Sequence, residues 1–245
     1  HKMERVDHHM NRQKGPMYEQ VAREIALHVI TENATNLPIE SELCRSLSVS
    51  RTVIREAIKT LSAKGLVEVS PKRGTTVRPR EKWNLLDSKV MEWQVAAGLN
   101  DELFIRNLCE VRRFLEPAVA ALAAERATSE EIEQLYWHLD EMQVNVHNDD
   151  SFIAADMKFH GTIFLASRND LLRHIADAID AALRASRSIT VRRPGSSEAS
   201  MPLHRNVADA IRDRDPDAAR AAMILVVTGA TRDIYQVQHP KLEEQ

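Results

Sequence analysis

Between residues 150 and 204 the chain carries Asp156-Met-Lys-Phe-His160 and, further on, His204. On an α-helix the four-residue spacing puts carboxylate and imidazole on one face, one turn apart, where the pair can chelate a divalent metal ion. His204 opens a later helix and supplies a third ligand if the fold turns it inward. Taken alone, Asp-x-x-x-His is equally at home on a solvated surface. His138, His147 and His174 have no comparable partner and are expected to do no chemistry. A second group lies at Ser50, Arg51, Thr52 and Arg55, which bring two guanidinium groups, one turn apart, and two hydroxyls to the start of one helix. An arginine fork can bond both acceptors of guanine in the major groove, and hydroxyls with free helix N–H groups suit phosphates. Lys72, Arg73 and Gly74 make a basic turn in which glycine permits close backbone approach. A solvated basic face would carry the same residues, so their context decides.

That context is three helices and a hairpin. Residues 17–31 have an apolar helical stripe, 40–47 place Leu43, Cys44 and Leu47 inward, and Ser50 is a good N-cap for 51–64. In the third helix Val53, Ile54, Ala57, Ile58 and Leu61 line the buried side, with Arg51, Arg55 and Lys59 opposite. Gly65 stops it. Residues 66–69 and 75–77 read as short strands around the basic turn. Three helices followed by a two-stranded wing form a winged helix-turn-helix, whose second helix-turn-helix element enters the major groove.

Past a linker at 79–88 everything reads as helix: 85–97, 101–127, 129–147, 150–167, 170–190, 201–212 and 215–237. The fold class is therefore mainly α, a winged helix-turn-helix at 17–78 and an all-helical antiparallel bundle of six to seven helices at 89–238. Residues 1–16 are expected to be a disordered N-terminus or a remnant of expression.

Composition agrees. The 245 residues are 43% hydrophobic and 28% charged, with 7 Gly and 4% aromatics, which excludes disordered and low-complexity classes and disfavours a turn-rich all-β fold. Two Cys build no disulfide framework, so a reducing, cytoplasmic setting is expected. Neither a signal peptide nor a membrane-spanning run is apparent. The net charge of −3 conceals an asymmetry: residues 1–80 hold 14 Lys and Arg against 9 Asp and Glu, or +5, and the remainder 19 against 27, or −8. A basic module that meets polyanions precedes an acidic one.

The stretch with Leu37-Pro-Ile-Glu-Ser-Glu-Leu-Cys, Val49-Ser-Arg-Thr-Val-Ile-Arg-Glu-Ala-Ile and Arg73-Gly-Thr-Thr-Val77 resembles the DNA-binding domain of GntR-type bacterial transcription regulators. By position, that resemblance makes Ser50, Arg51, Thr52, Arg55 and Gly74 contacts to double-stranded operator DNA. Glu110-Val-Arg-Arg-Phe-Leu-Glu-Pro117, Asp156-x-x-x-His160, Asn169-x-Leu171, His204 with Ala210-Ile211, and Asp215-x-x-x-Ala219 resemble the FCD effector domain of the FadR subfamily. The resemblance implies one divalent metal ion, commonly zinc or nickel, bound by an Asp and three His beside a carboxylate effector. Asp156, His160 and His204 match three ligands, and Val226 stands where the fourth His would be. Such a set binds metal weakly, leaves a coordination position open, or acts on the effector directly. Arg112 matches a family arginine that points into the cavity, where its fork suits a carboxylate; a salt bridge to Glu110 or Glu116 would occupy it otherwise. Arg232 is a candidate for the effector's other end.

Pro79-Arg-x-x-Trp83, Asp87-x-x-Val90-x-x-Trp93, Ala123-Ala-Glu-Arg-Ala-Thr128 and Glu198-Ala-Ser-Met-Pro202 are similar to members of the family that repress galactonate operons. This implies a sugar-acid effector, an aldonate such as galactonate, binding Arg112, Asp156, His160 and His204, with Trp83 and Trp93 packing the linker helix. The alternative is another small carboxylate in a metal-assisted site. The expected protein is no enzyme but a repressor, a homodimer on a palindromic operator, released when effector binding moves its DNA-binding domains through residues 79–88. A metal-dependent enzyme built on the same trio lacks a nucleophile or base. An architectural DNA binder would have an apolar bundle interior, leaving buried Asp156 and Arg112 as uncompensated costs.

Overall fold

Helices α1 (Met17–Glu32), α2 (Glu40–Leu47) and α3 (Arg51–Ala63) each turn one apolar stripe inward. Val21, Ile25 and Val29 of α1, Leu43 and Leu47 of α2, and Ile54, Ala57, Ile58 and Leu61 of α3 are buried in one core with Leu37, Leu66 and Val67. This computed structural model describes residues 15–71, 73–97 and 102–239; Lys72 and most of the N-terminal tail lie outside the described residues. The chain divides into two compact units, His1–Gly98 and Leu99–Gln245.

Local chemistry sets the ends of α3. The Ser50 side chain accepts from the Val53 N–H at 3.4 Å. At the other end Gly65 has φ +80°, donates to the Ser62 carbonyl at 3.0 Å, and Leu66 donates to the Leu61 carbonyl at 3.0 Å. This paired closure of a helix needs a left-handed residue, where a side chain is strained. Strands β1 (Val67–Ser70) and β2 (Gly74–Val77) then pair antiparallel, Val67 opposite Val77 and Ser70 opposite Gly74. The loop before α2 joins the hairpin, with Leu37 donating to the Thr75 carbonyl and Val77 to the Thr35 carbonyl.

Residues 79–88, expected as a linker, are bonded into this first unit. Asn84 donates to the Lys64 carbonyl at 2.9 Å, the Trp83 indole to the Arg78 carbonyl at 2.8 Å, and Lys64 Nζ pairs with Asp87 at 2.7 Å. Asp87 also accepts from the N–H groups of Lys89 and Val90 and so caps α4 (Ser88–Ala97). That helix packs on α1 and puts Val90 and Trp93 into the first core. The boundary expected at 88–89 therefore falls inside the first unit, because the apolar face of α4 is buried there.

In the second unit α5 (Glu102–Arg126), α6 (Ser129–Val144), α7 (Asp149–Ala166), α8 (Asp170–Thr190), α9 (Ser196–Arg212) and α10 (Pro216–Gln238) surround a core of Val119, Leu135, Phe159, Ile163, Ile211 and Met223. Thr128 and Glu131 form a capping box, Asn169 caps α8, and Asp215 caps α10 with Pro216 in its first turn. Helix α9 starts five residues earlier than the sequence suggests. Gly195, left-handed at φ +77°, stands at the N-cap and Pro202 lies within the helix.

A Cβ on Gly65 would lie 2.5 Å from the Lys82 carbonyl oxygen. Gly65→Ala should therefore destabilise the first unit by at least the ~1–2 kcal/mol of a left-handed alanine, read as a fall in its melting temperature by differential scanning calorimetry, with the second unit's transition unmoved.

Candidate effector cavity and nucleic-acid interface

Four helices of the second unit each interrupt an apolar stripe with a polar side chain at the same level. On α5 these are Arg112 and Glu116, on α7 Asp156 and His160, on α8 Ser186 and Arg187, and on α9 His204; all seven are buried. Phe159 lies edge-on to both imidazoles, its ring centroid 5.7 Å from that of His160 and 5.4 Å from that of His204, which fixes the two rings at 87° to each other.

The polar groups form one connected set. Arg112 Nε donates to Glu116 Oε1 at 2.6 Å and its Nη1 to the Ser186 hydroxyl at 3.4 Å. Glu116 Oε2 lies 2.9 Å from His160 Nδ1. Arg187 Nε donates to Asp156 Oδ2. The other oxygen, Oδ1, stands 2.9 Å from His204 Nε2 and 3.7 Å from His160 Nε2. His204 Nδ1 is 2.8 Å from the Ser200 carbonyl, which only accepts, so that nitrogen carries a proton.

Burial opposes ionisation of Glu116, but the adjacent Arg112, then His160 and Arg187, outweigh it and hold the carboxyl well below its ordinary range. Asp156 behaves alike, with Arg187 the strongest of its stabilising neighbours. For His160 burial wins over the attraction of Glu116 and Asp156, so it is held neutral more readily than a free imidazole. Near neutral pH two guanidinium cations thus face two carboxylates.

Asp156, His160 and His204 meet the requirements of a metal site. Their ligand atoms all lie within 4.8 Å of one another, and the two Nε2 atoms are 3.3 Å apart. Metal–nitrogen bonds of about 2.0–2.1 Å in tetrahedral geometry separate ligand atoms by roughly that distance. Acceptor atoms this close need a cation or a proton among them. Glu116 behind His160 and the Ser200 carbonyl behind His204 are the outer partners that orient metal-binding imidazoles.

The set opens into a cavity lined also by Phe152, Thr190, Ser196, Ser197, Ser200 and Leu203. Val226 lies on the wall, so the position of the expected fourth ligand is apolar but adjacent. Arg232 lines the cavity too, with its side chain 64% exposed and 3.7 Å from Asp233. Arg112 is paired with Glu116 and also lines the cavity.

Arg187 and Ser186 escaped the sequence reading, which named Glu116 only as a partner for Arg112. A signal for Arg187 existed: Ile179, Leu183 and Arg187 are four apart on the buried face of α8, so a cation falls where the period calls for an apolar residue.

In the first unit Arg51, Thr52 and Arg55 are exposed at the start of α3, and Arg73 and Gly74 at the tip of the hairpin. Gly74 has φ +73° and open space where a side chain would stand. Arg55 Nε donates to Glu40 at 3.1 Å, so α2 holds that guanidinium in place. Arg51 is exposed and has no ion pair among the described residues.

Residues 17–77 match the model of the bacterial regulatory proteins of the gntR family, and residues 107–228 that of the FCD domain. The chain is 37% identical over 205 residues to the galactonate operon transcriptional repressor of Escherichia coli K12, covering 82% of this chain and 88% of that protein. The chain belongs to the GntR family. It is also 31% identical to the transcriptional regulator LutR of Bacillus subtilis 168, over 76% of this chain and 85% of the relative. A GntR structure from Streptococcus agalactiae superposes with a TM-score of 0.51 at 26% identity, covering 88% of this chain and 99% of that one. Lar of Listeria monocytogenes shares the fold, with a TM-score of 0.61 at 17% identity over 91% of this chain and 99% of its own. This GntR protein is accordingly a transcription regulator that binds operator DNA and a small-molecule effector, not an enzyme. Among the described residues no helix is long and apolar enough to cross a membrane.

If Arg51 reads a base, Arg51→Ala should weaken operator binding by about 1–3 kcal/mol and relax sequence preference at one position. Fluorescence anisotropy on duplexes selected from a random pool checks this; a uniform loss over all sequences would make Arg51 a phosphate contact.

Proposed function

We propose that this GntR-family protein is a homodimeric cytoplasmic repressor of a sugar-acid catabolic operon, released from DNA when an aldonate such as galactonate enters the helical unit. The observation that carries the reading is the buried cavity in which Arg112, Arg187, Asp156, His160 and His204 converge. Guanidinium forks suit a carboxylate, and imidazole, carboxylate and hydroxyl groups suit the hydroxyls of a sugar acid. The likeness to a galactonate operon repressor over most of both chains supports the same ligand class. An interior of this polarity argues against a purely architectural DNA binder.

Asp156, His160 and His204 would hold one divalent ion, zinc or nickel, which when bound supplies positive charge for effector oxygens. The protein's own part is to orient His160 through Glu116, His204 through Ser200, and Asp156 through Arg187. Three protein ligands leave a position for the effector or water. In the first unit Ser50, Arg51, Thr52 and Arg55 would meet the major groove, with Arg73 and Gly74 against the backbone. A two-fold dimer doubles the short sequence that one α3 reads. Since residues 79–88 are bonded to α3 and α4, they would move with the DNA-binding unit instead of acting as a hinge within it.

An effector must favour the arrangement that does not fit DNA, and such couplings are typically about 1–3 kcal/mol. Titrating galactonate into the protein–operator complex should lower operator affinity by roughly 5–150-fold. His160→Ala should bind operator normally yet ignore galactonate. An operator affinity that no sugar acid or other small carboxylate alters would sink the effector mechanism and spare DNA binding. Zinc titration by calorimetry should give one site per chain, lost in Asp156→Asn; stoichiometric binding that survives this change would remove the metal assignment.

A further inference from the structure

Arg187 is 5% exposed and its three nitrogens are used unequally. Nε donates to Asp156, Nη1 donates to the Leu183 carbonyl at 3.3 Å, and Nη2, fully buried in a residue that lines the cavity, has no partner. A guanidinium N–H group shut away from water without an acceptor is a standing cost that an anionic ligand would relieve. Arg112, by contrast, spends its Nε on Glu116 and its Nη1 on Ser186.

The hydroxyls around the cavity carry a second asymmetry. Thr190 Oγ1 donates to the Arg187 carbonyl, Ser196 Oγ to the Thr190 carbonyl and Ser200 Oγ to the Ser197 carbonyl, each at 2.8 Å. A hydroxyl has one proton to give and two lone pairs. With their protons committed, these three side chains at the α8–α9 junction offer lone pairs only, and lone pairs recognise donors.

We infer that Arg187 takes the effector's carboxylate on Nη2, and that Thr190, Ser196 and Ser200 accept hydrogen bonds from the hydroxyls of its chain. The inference rests on the sugar-acid reading above and makes it specific. The carboxylate end lies beside Asp156, so its binding is felt directly by the Asp156–His160–His204 set, while the α8–α9 junction selects a polyhydroxylated tail over a plain aliphatic one.

Calorimetry on the full chain with D-galactonate, D-galactose and hexanoate separates the parts. Wild type should bind galactonate, with galactose (no carboxylate) and hexanoate (no hydroxyls) much weaker. Arg187→Gln should lose at least about 10-fold for galactonate, and the Ser196→Ala/Ser200→Ala double variant should lose several-fold for galactonate while leaving hexanoate unchanged. Galactonate affinity within threefold of wild type in R187Q, at native circular dichroism, overturns the carboxylate assignment. Equal losses for galactonate and hexanoate in the double variant overturn the hydroxyl assignment. Should R187Q not fold, Arg187→Lys decides, since it keeps the charge and loses the fork: reduced affinity supports the inference and wild-type affinity overturns it. Failure of every sugar acid to bind wild type removes the sugar-acid reading itself, and this inference with it.

Discussion

Inside the helical unit, charge must balance within a few ångströms. Arg112 and Arg187 face Glu116 and Asp156 across a buried set closed by two imidazoles, where screening by solvent is weak. Losing one member would leave its neighbour as an uncompensated charge in a medium of low polarisability. The set therefore constrains four helices at once, since α5, α7, α8 and α9 must present their polar residues at one level. Small residues make that possible: Ala120, Ala123 and Ala124 on α5 are fully buried and let neighbouring helices approach closely.

A buried ion pair adds little net stability compared with a well-packed apolar core. What it does provide is a site whose electrostatics change when an anion arrives. Before binding, the guanidinium of Arg187 is incompletely satisfied and the ligand atoms of Asp156, His160 and His204 converge. Each of these is a cost in the free protein that a carboxylate, a metal ion or both would lower. A sensor needs such a difference between its free and bound states, because a ligand shifts an equilibrium only by its differential interaction with the two.

The DNA-reading unit is built on the opposite principle. Helix α3 is held at its start by the Ser50 cap, at its end by Gly65 and Lys64–Asp87, and along its length by an apolar stripe. The Glu40–Arg55 pair adds a polar contact to α2. The polar residues proposed to meet DNA remain outside that core.

Sequence periodicity was enough for the helices, the hairpin and the two-part division, because stripes, caps and turn residues act over three or four positions. It also marked Asp156, His160, Arg51 and Arg55, whose spacing is a local matter. Family resemblance added Arg112. The boundary at 88–89 was misread because the apolar residues of α4 do not say which core they join; Val90 and Trp93 chose the first unit only through contact with α1. Arg187 was passed over since a lone arginine in a long helix is ordinarily solvated, and its partner Asp156 is 31 residues away in sequence. Periodicity alone thus determined the elements and the faces they bury. Which polar residues meet across four helices was decided by tertiary structure alone, because charge pairing in a core is a relation between faces and no single helix contains it.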